Sequence, residues 1–254
     1  MNRAVDVWYK IKNILTSPAH IGFVAIAAAL GMMQGGEGWV DGLYQYYAGI
    51  PYLFEDDLNL ARLMKWALPH FLLSLSIGRQ AEDGLANARF AIPRHGSAYM
   101  WWLRQCAAMW AVVILYYIAI STAACLAAFP RAGSENFFAS PIPSLDAAEL
   151  ALLMTAANIA VMGAFITLQL AVHLLSRNAM LGASLFLLVI VLPVFAPSYE
   201  AARFLPGNWL MVRRSALVTR GGYDMAVVWP GAACVTAVGV LIARVAAARR
   251  KIMW

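Results

Sequence analysis

Six apolar runs separated by polar segments organise this chain: Ile21 to Met33, Leu63 to Ile77, Tyr99 to Phe129, Leu150 to Leu175, Ala179 to Ala196 and Met225 to Ala247. A helix needs about 20 predominantly apolar residues to cross a hydrocarbon core. The runs reach or approach that length, so the pattern predicts six transmembrane helices. The first two are the least regular, with Gly31 and Gln34 around the end of one and Lys65 and Pro69 inside the other. The polar segments 36–62, 130–149 and 197–224 then fall on one side of the membrane, and 78–98 with the short turn 176–178 on the other. Ahead of the first run, Val5, Trp8, Ile11 and Leu15 recur at helical spacing while Arg3, Asp6, Lys10 and Asn13 occupy other faces. This pattern predicts an amphipathic helix over 1–19 lying in the membrane interface, where Trp8 and Tyr9 beside Lys10 and Lys12 suit the headgroup layer. Ser17-Pro18 would turn the chain into the first span. A secretory signal is not expected, because the N-terminus lacks a continuous apolar core and a small-residue cleavage site.

Composition strengthens this reading: 62% of residues are hydrophobic, 13% are charged and the mean hydropathy is +0.67, far from a soluble domain. The expected fold is all-α and integral to the membrane, one transmembrane domain over 1–254. Charge gives it an orientation. The N-terminus, the 78–106 region, the 176–178 turn and the C-terminal tail hold twelve of the nineteen Lys and Arg and only three acids, Asp6, Glu82 and Asp83. The opposite side holds seven basic residues and ten acids. Cytoplasmic loops are enriched in Lys and Arg, so both termini are expected in the cytoplasm of a multi-pass cell-membrane protein. The net charge of +6 then reflects topology, and a nucleic-acid partner is not expected, since no soluble basic face with stacking aromatics is present.

Candidate chemistry is sparse. Cys106, Cys125 and Cys234 fall in predicted spans at no metal-like spacing and read as packing residues. His20, His70, His95 and His173 are scattered over different spans and loops, which argues against a metal centre. The run Asp83-Gly84-Leu85-Ala86-Asn87-Ala88-Arg89 resembles the start of the membrane phosphatidyl-alcohol transferase motif, but its Ala-Arg pair is one position late and the downstream aspartates are missing. Metal-assisted phosphoryl transfer needs several converging oxygen ligands, so no catalytic residue is expected. A phosphate loop, a zinc helix and a nucleophile elbow are all absent from the sequence. A carrier driven by an ion gradient usually places carboxylates near the bilayer midplane, and the six runs contain none there. A transporter of this kind must borrow an ATPase.

The amphipathic N-terminal helix, the six spans and the segment between spans two and three resemble the permease subunit of an ABC-2-type transporter. Arg94-His95-Gly96-Ser97-Ala98-Tyr99-Met100-Trp101-Trp102 is similar to a phrase of the small bacterial permeases of antimicrobial-peptide export and immunity systems. Leu205-Pro206-Gly207-Asn208-Trp209-Leu210-Met211 is similar to a phrase before their last span. The resemblance implies a bacterial cytoplasmic membrane and two permease chains engaging two cytoplasmic ABC ATPase subunits. ATP and Mg would lie on the partner subunit, with no cofactor on this chain. It also implies a coupling role for Glu82, Asp83, Leu85, Ala88, Arg89, Ile92, Arg94, His95, Gly96 and Ser97. The residues suit a lever: Glu82 to Ile92 has Leu85, Ala88 and Ile92 at helical spacing and Arg89 on another face. Pro93 restricts Ile92 and should end the helix, Gly96 permits a reversal and Ser97 can cap the next helix. Trp101 and Trp102 would anchor the third span at the interface, with Arg104 reaching headgroups. The competing reading is an interfacial loop whose arginines only set topology.

On the opposite side, Asn208, Trp209, Arg213 and Arg214 form a second candidate, an extracytoplasmic gate, because arginines there run against the charge bias. Pairing of Arg213, Arg214 and Arg220 with Glu200, Asp224 or the Glu55-Asp56-Asp57 cluster, or with anionic headgroups, would also account for them. Asn158, Thr167 and Gln169 are expected to join helices, and the small residues from Ala156 to Ala164 to allow close packing or a dimer contact. The expected function is export or extraction of a hydrophobic or peptide substrate. The alternative is a membrane scaffold or sensor that docks a cytoplasmic partner.

Overall fold

The structure, a computed structural model, describes residues 3–32, 39–53, 56–128, 146–196, 198–219 and 222–250. Among the described residues ten α-helices follow one another: α1 (Arg3–Leu15), α2 (Pro18–Met32), α3 (Trp39–Tyr47), α4 (Leu60–Ala86), α5 (Ala88–His95), α6 (Ala98–Ala128), α7 (Ala147–Ser176), α8 (Ala179–Val191), α9 (Tyr199–Arg203) and α10 (Met225–Arg250). Short 3-10 turns extend α8 over Leu192–Phe195 and link α9 to α10 over Pro206–Leu210 and Val212–Arg214. No strand is present among the described residues; Ser215 and Tyr223 make an isolated bridge.

Local sequence explains where the helices begin and turn. Pro18 opens α2, where its missing N–H costs nothing, and the chain bends by 62° between α1 and α2. Asn59 accepts from Arg62 N at the start of α4 (2.9 Å). Asp146 and Glu149 form a reciprocal capping box on α7, which satisfies two otherwise orphaned donors. Asp224 accepts from Ala226 N at the start of α10 (2.9 Å).

The long helices form one bundle with a continuous core. α10 packs along α7 more extensively than any other pair, with Gly239 close against the Thr167–Leu168 backbone. Polar side chains then pin neighbours together. Ser74 donates to Gln169 Oε1 (2.7 Å) and Gln169 Nε2 donates back to Ser74 O (2.9 Å), joining α4 to α7. Trp110 Nε1 donates to Thr167 Oγ1 (3.0 Å), joining α6 to α7, and Gly163 leaves room for that same indole. His20 and Ser76 pair between α2 and α4 (2.9 Å).

α6, α7 and α10 are long and apolar enough to cross a membrane, and α1 with α2 meets the same standard if the bent pair is one span. The chain is thus an all-α protein whose apolar helices fit a membrane-embedded protein. The expected second and fifth spans differ in instructive ways. α4 has the length, about 40 Å, but carries Arg62, Lys65, Arg79, Glu82 and Asp83. α8 has the apolarity but is short, Met180–Phe195.

Several boundaries depart from the sequence reading. The second helix is not confined to Leu63–Ile77; it runs from Leu60 through Glu82 and Asp83 to Ala86. Its C-terminal turns pack on the core through Ala81 and Leu85 but carry Arg79, Glu82 and Asp83, so hydropathy does not mark them. Pro93 does not close the following helix. It lies inside α5, which continues to His95 and ends at Gly96 in the left-handed conformation (φ 82°), a conformation glycine adopts without steric cost. Trp101 and Trp102, expected at the membrane interface, are covered by the protein itself, 4% and 2% exposed. Segment 36–62 is not wholly external, because α3 and Ala48–Tyr52 are folded into the bundle.

Candidate functional site

Two ends of the bundle carry the sequence-designated residues. At the first, α4 ends at Asn87, whose backbone N–H reaches Asp83 O (3.3 Å), and α5 begins at once. Ser97 accepts from Met100 N (3.1 Å) and starts α6. α5 is therefore held at both ends by long helices. Its apolar side faces inward: Ala88 is fully buried and Ala91 and Ile92 pack on the core, as does Leu85 in the last turn of α4. Glu82, Asp83 and Gly96 are exposed. Phe90 is 60% exposed, an outward aromatic between Arg89 and Ala91 that the sequence reading passed over. The side chains of Arg89, Arg94 and His95 lie outside what the structure describes. α1 is tied to the same end. With its amide oxygen turned toward them, Gln105 accepts from Trp101 Nε1 (3.3 Å) and Lys10 Nζ (3.2 Å), while Trp8 on α1 is 65% exposed. Arg104, on the next position of α6, is half-buried and has a partner.

The opposite end is organised around Arg214, 2% exposed. Its Nε donates to Ile50 O (3.0 Å) and its Nη2 to Pro51 O (2.9 Å). Nη1 donates to Pro193 O and to Asn208 Oδ1, each at 3.0 Å. The guanidinium plane lies over the Tyr52 ring, 3.8 Å from its centroid. One side chain thereby ties the segment after α3, the turn after α8 and the 206–210 turn together. Trp209 is buried beside them and donates through Nε1 to Arg203 O (2.8 Å). Tyr223 donates to Trp209 O (3.2 Å), and burial pushes its phenol well above the usual value. Of the four residues expected at a gate, Asn208, Trp209 and Arg214 are interior, and Arg213 alone is half-buried. Arg220 and Glu55 lie outside the described residues.

Arg213 is shared by two clefts. One, of about 280 Å³, is lined by Gln45, Ala48, Gly49, Asn59, Ala61, Arg62, Lys65, Trp66 and Arg213. The other, of about 400 Å³, is lined by Pro51, Tyr52, Asp56, Tyr199, Arg213, Arg214, Thr219 and Gly222. Burial raises the Tyr44 phenol above its usual value, and the nearby charges of Arg213 and Arg62 oppose that shift.

Between the two ends is a polar cluster that the sequence did not reveal. His70 Nδ1 meets Trp66 O (2.9 Å); a carbonyl only accepts, so Nδ1 carries the proton and Nε2 is a bare acceptor. His70 Nε2, Asn158 Oδ1, Tyr46 Oη and Tyr117 Oη are all buried without a hydrogen-bond partner. The His70 and Tyr117 rings are 6.0 Å apart. Buried polar groups of this kind favour ordered water or a polar guest.

Among the described residues no group of three or more His, Cys, Asp or Glu is arranged to hold a metal ion. No known family model matches the chain, and no curated protein is significantly similar to it.

Proposed function

We propose that the chain is the permease subunit of an ABC-2-type ATP-binding cassette transporter, with its termini and α5 in the cytoplasm and six membrane passages. It would export or extract a hydrophobic or peptide substrate using ATP hydrolysed, with Mg, on a separate ATPase subunit. The observation that carries this reading is α5: a short helix at one end of the bundle, fixed between α4 and α6, turning Phe90 outward beside the exposed acids Glu82 and Asp83. Its inward face is already occupied by the core, so a push on the outward face is passed to α4 and α6 instead of being absorbed by a loose loop. α4 is continuous from Leu60 to Ala86, and it links α5 directly to the Arg214 end. A second copy of the permease would complete the transporter.

The test is co-purification of the full chain with an ATPase encoded beside it, followed by ATPase turnover in proteoliposomes. Phe90→Asp is expected to abolish stimulation and weaken assembly while the permease stays folded. Unchanged assembly and unchanged stimulation would remove the coupling assignment. Assembly without any ATP-dependent substrate movement would favour the scaffold or sensor reading.

A further inference from the structure

The smaller of the two clefts at the Arg214 end has an unusual lining. Arg62, Lys65 and Arg213 supply three cations and no Asp or Glu contributes to its wall. The side chains of these three residues make no hydrogen bond or ion pair among the described residues, although acids outnumber bases in the segments assigned to this side. The nearest acid on α3, Asp41, is engaged one turn away by Gln45 Nε2 (3.3 Å). Uncompensated cations gathered around a concavity repel one another, and a bound anion relieves that repulsion.

A second observation points the same way. Trp66 lines the cleft and is only 3% exposed, yet its indole N–H has no partner. A buried N–H without an acceptor is unfavourable, and this one belongs to a residue of the cleft wall. The N-terminal turn of α4 adds to the field, with Asn59 and Ala61 also in the lining; helix N-termini favour negative charge.

We propose that this cleft binds a phosphate group, held by Arg62, Lys65 and Arg213. The ligand class is a phosphate anion without a nearby cationic substituent, because the wall offers no carboxylate to receive one. A phosphatidylglycerol-type headgroup fits this chemistry and phosphatidylcholine does not. The adjoining cleft has Asp56 in its wall and is thereby less selective for anions. Arg213 divides the two. This site is independent of the ATPase assignment, since it is at the other end of the bundle.

Native mass spectrometry of the detergent-purified full chain tests the proposal, with phosphatidylglycerol, phosphatidylcholine or inorganic pyrophosphate added in turn. The wild-type chain is expected to retain phosphatidylglycerol at least tenfold better than phosphatidylcholine. Lys65→Gln should reduce that retention about tenfold, the loss of one charge-assisted contact, and the triple variant Arg62→Gln, Lys65→Gln, Arg213→Gln should abolish the preference. Lys65 is exposed and the fold does not use its head group, so its variant separates lost binding from lost folding. If pyrophosphate displaces the lipid at equal concentration, the site reads a bare phosphate; if it does not, the site reads the lipid headgroup. Equal retention of both lipids by the wild-type chain with no pyrophosphate bound, or an unchanged preference in the triple variant, overturns the proposal.

Discussion

The Arg214 end and the α5 end solve opposite problems with similar materials. At the Arg214 end, three non-helical segments with many backbone groups are locked by one guanidinium, whose donors go to Ile50, Pro51, Pro193 and Asn208. At the α5 end the backbone satisfies itself inside helices, and the side chains that differ from their surroundings point outward. A buried charge whose hydrogen-bonding capacity is used within the protein holds a shape; exposed side chains on a short, braced helix present a surface instead. Arg214 is thus internal cement at one end, while Glu82, Asp83 and Phe90 are exposed at the other.

The comparison is sharpest where a substitution should act on one end alone. Arg214→Met should have the largest effect. It strands several buried acceptors at once, and each charged hydrogen bond contributes about 1.5–3 kcal/mol. The melting temperature in detergent should fall steeply or the chain should fail to fold, and Arg214→Lys should recover little because an ammonium cannot fork to four acceptors. A near-normal melting temperature would break the contrast. Gly207→Ala comes next: the added methyl overlaps the Val189 carbonyl oxygen and the Ile190 backbone, which cannot rotate away as a side chain would. A loss of about 3 kcal/mol is expected in denaturant titrations. Asp146→Ala removes half of the α7 capping box, also at this end but outside the Arg214 knot, and should cost about 1 kcal/mol. An effect as large as that of Arg214→Met would mean that the end as a whole is fragile, not the knot. Phe90→Asp should alter the melting temperature least, by less than about 0.5 kcal/mol in equivalent stability, while abolishing ATPase stimulation. A large stability loss there would show that Phe90 belongs to the core's upkeep.

Much of the architecture was legible in the hydropathy pattern. α6, α7 and α10 announce themselves because each is apolar over the length a bilayer demands, and α1 declares its amphipathic face through Val5, Trp8, Ile11 and Leu15. Asp146-x-x-Glu149 is also a readable helix start. Other features were hidden for physical reasons. The C-terminal turns of α4 are helical through local hydrogen bonding and not through lipid contact, so Arg79, Glu82 and Asp83 disguise them as a loop. Pro93 fits two residues before a helix end, where little of the hydrogen-bond ladder remains to be broken. Trp101 and Trp102 are covered by the protein itself, which a hydropathy scan cannot foresee. The role of Arg214 is the hardest to read. Its acceptors on Ile50 and Pro51 are more than 160 residues away and are backbone carbonyls, which have no signature in side-chain sequence. Phe90 and Trp66 were visible as residues, but exposure of the first and the unpaired N–H of the second belong to the folded state.

α8 has one more consequence. With its terminal turn it spans Met180–Phe195, about 24 Å at helical rise, and Leu181, Leu188, Leu192 and Phe195 face outward along it. A typical hydrocarbon layer is about 30 Å thick. Were α8 one of the six proposed membrane passages, the bilayer on this flank would have to thin by several ångströms to meet the apolar stripe, at a cost of a fraction of a kcal/mol per ångström. In that arrangement the short stripe of α8 would favour a thinner membrane around the protein and make the membrane's elasticity part of its conformational energy.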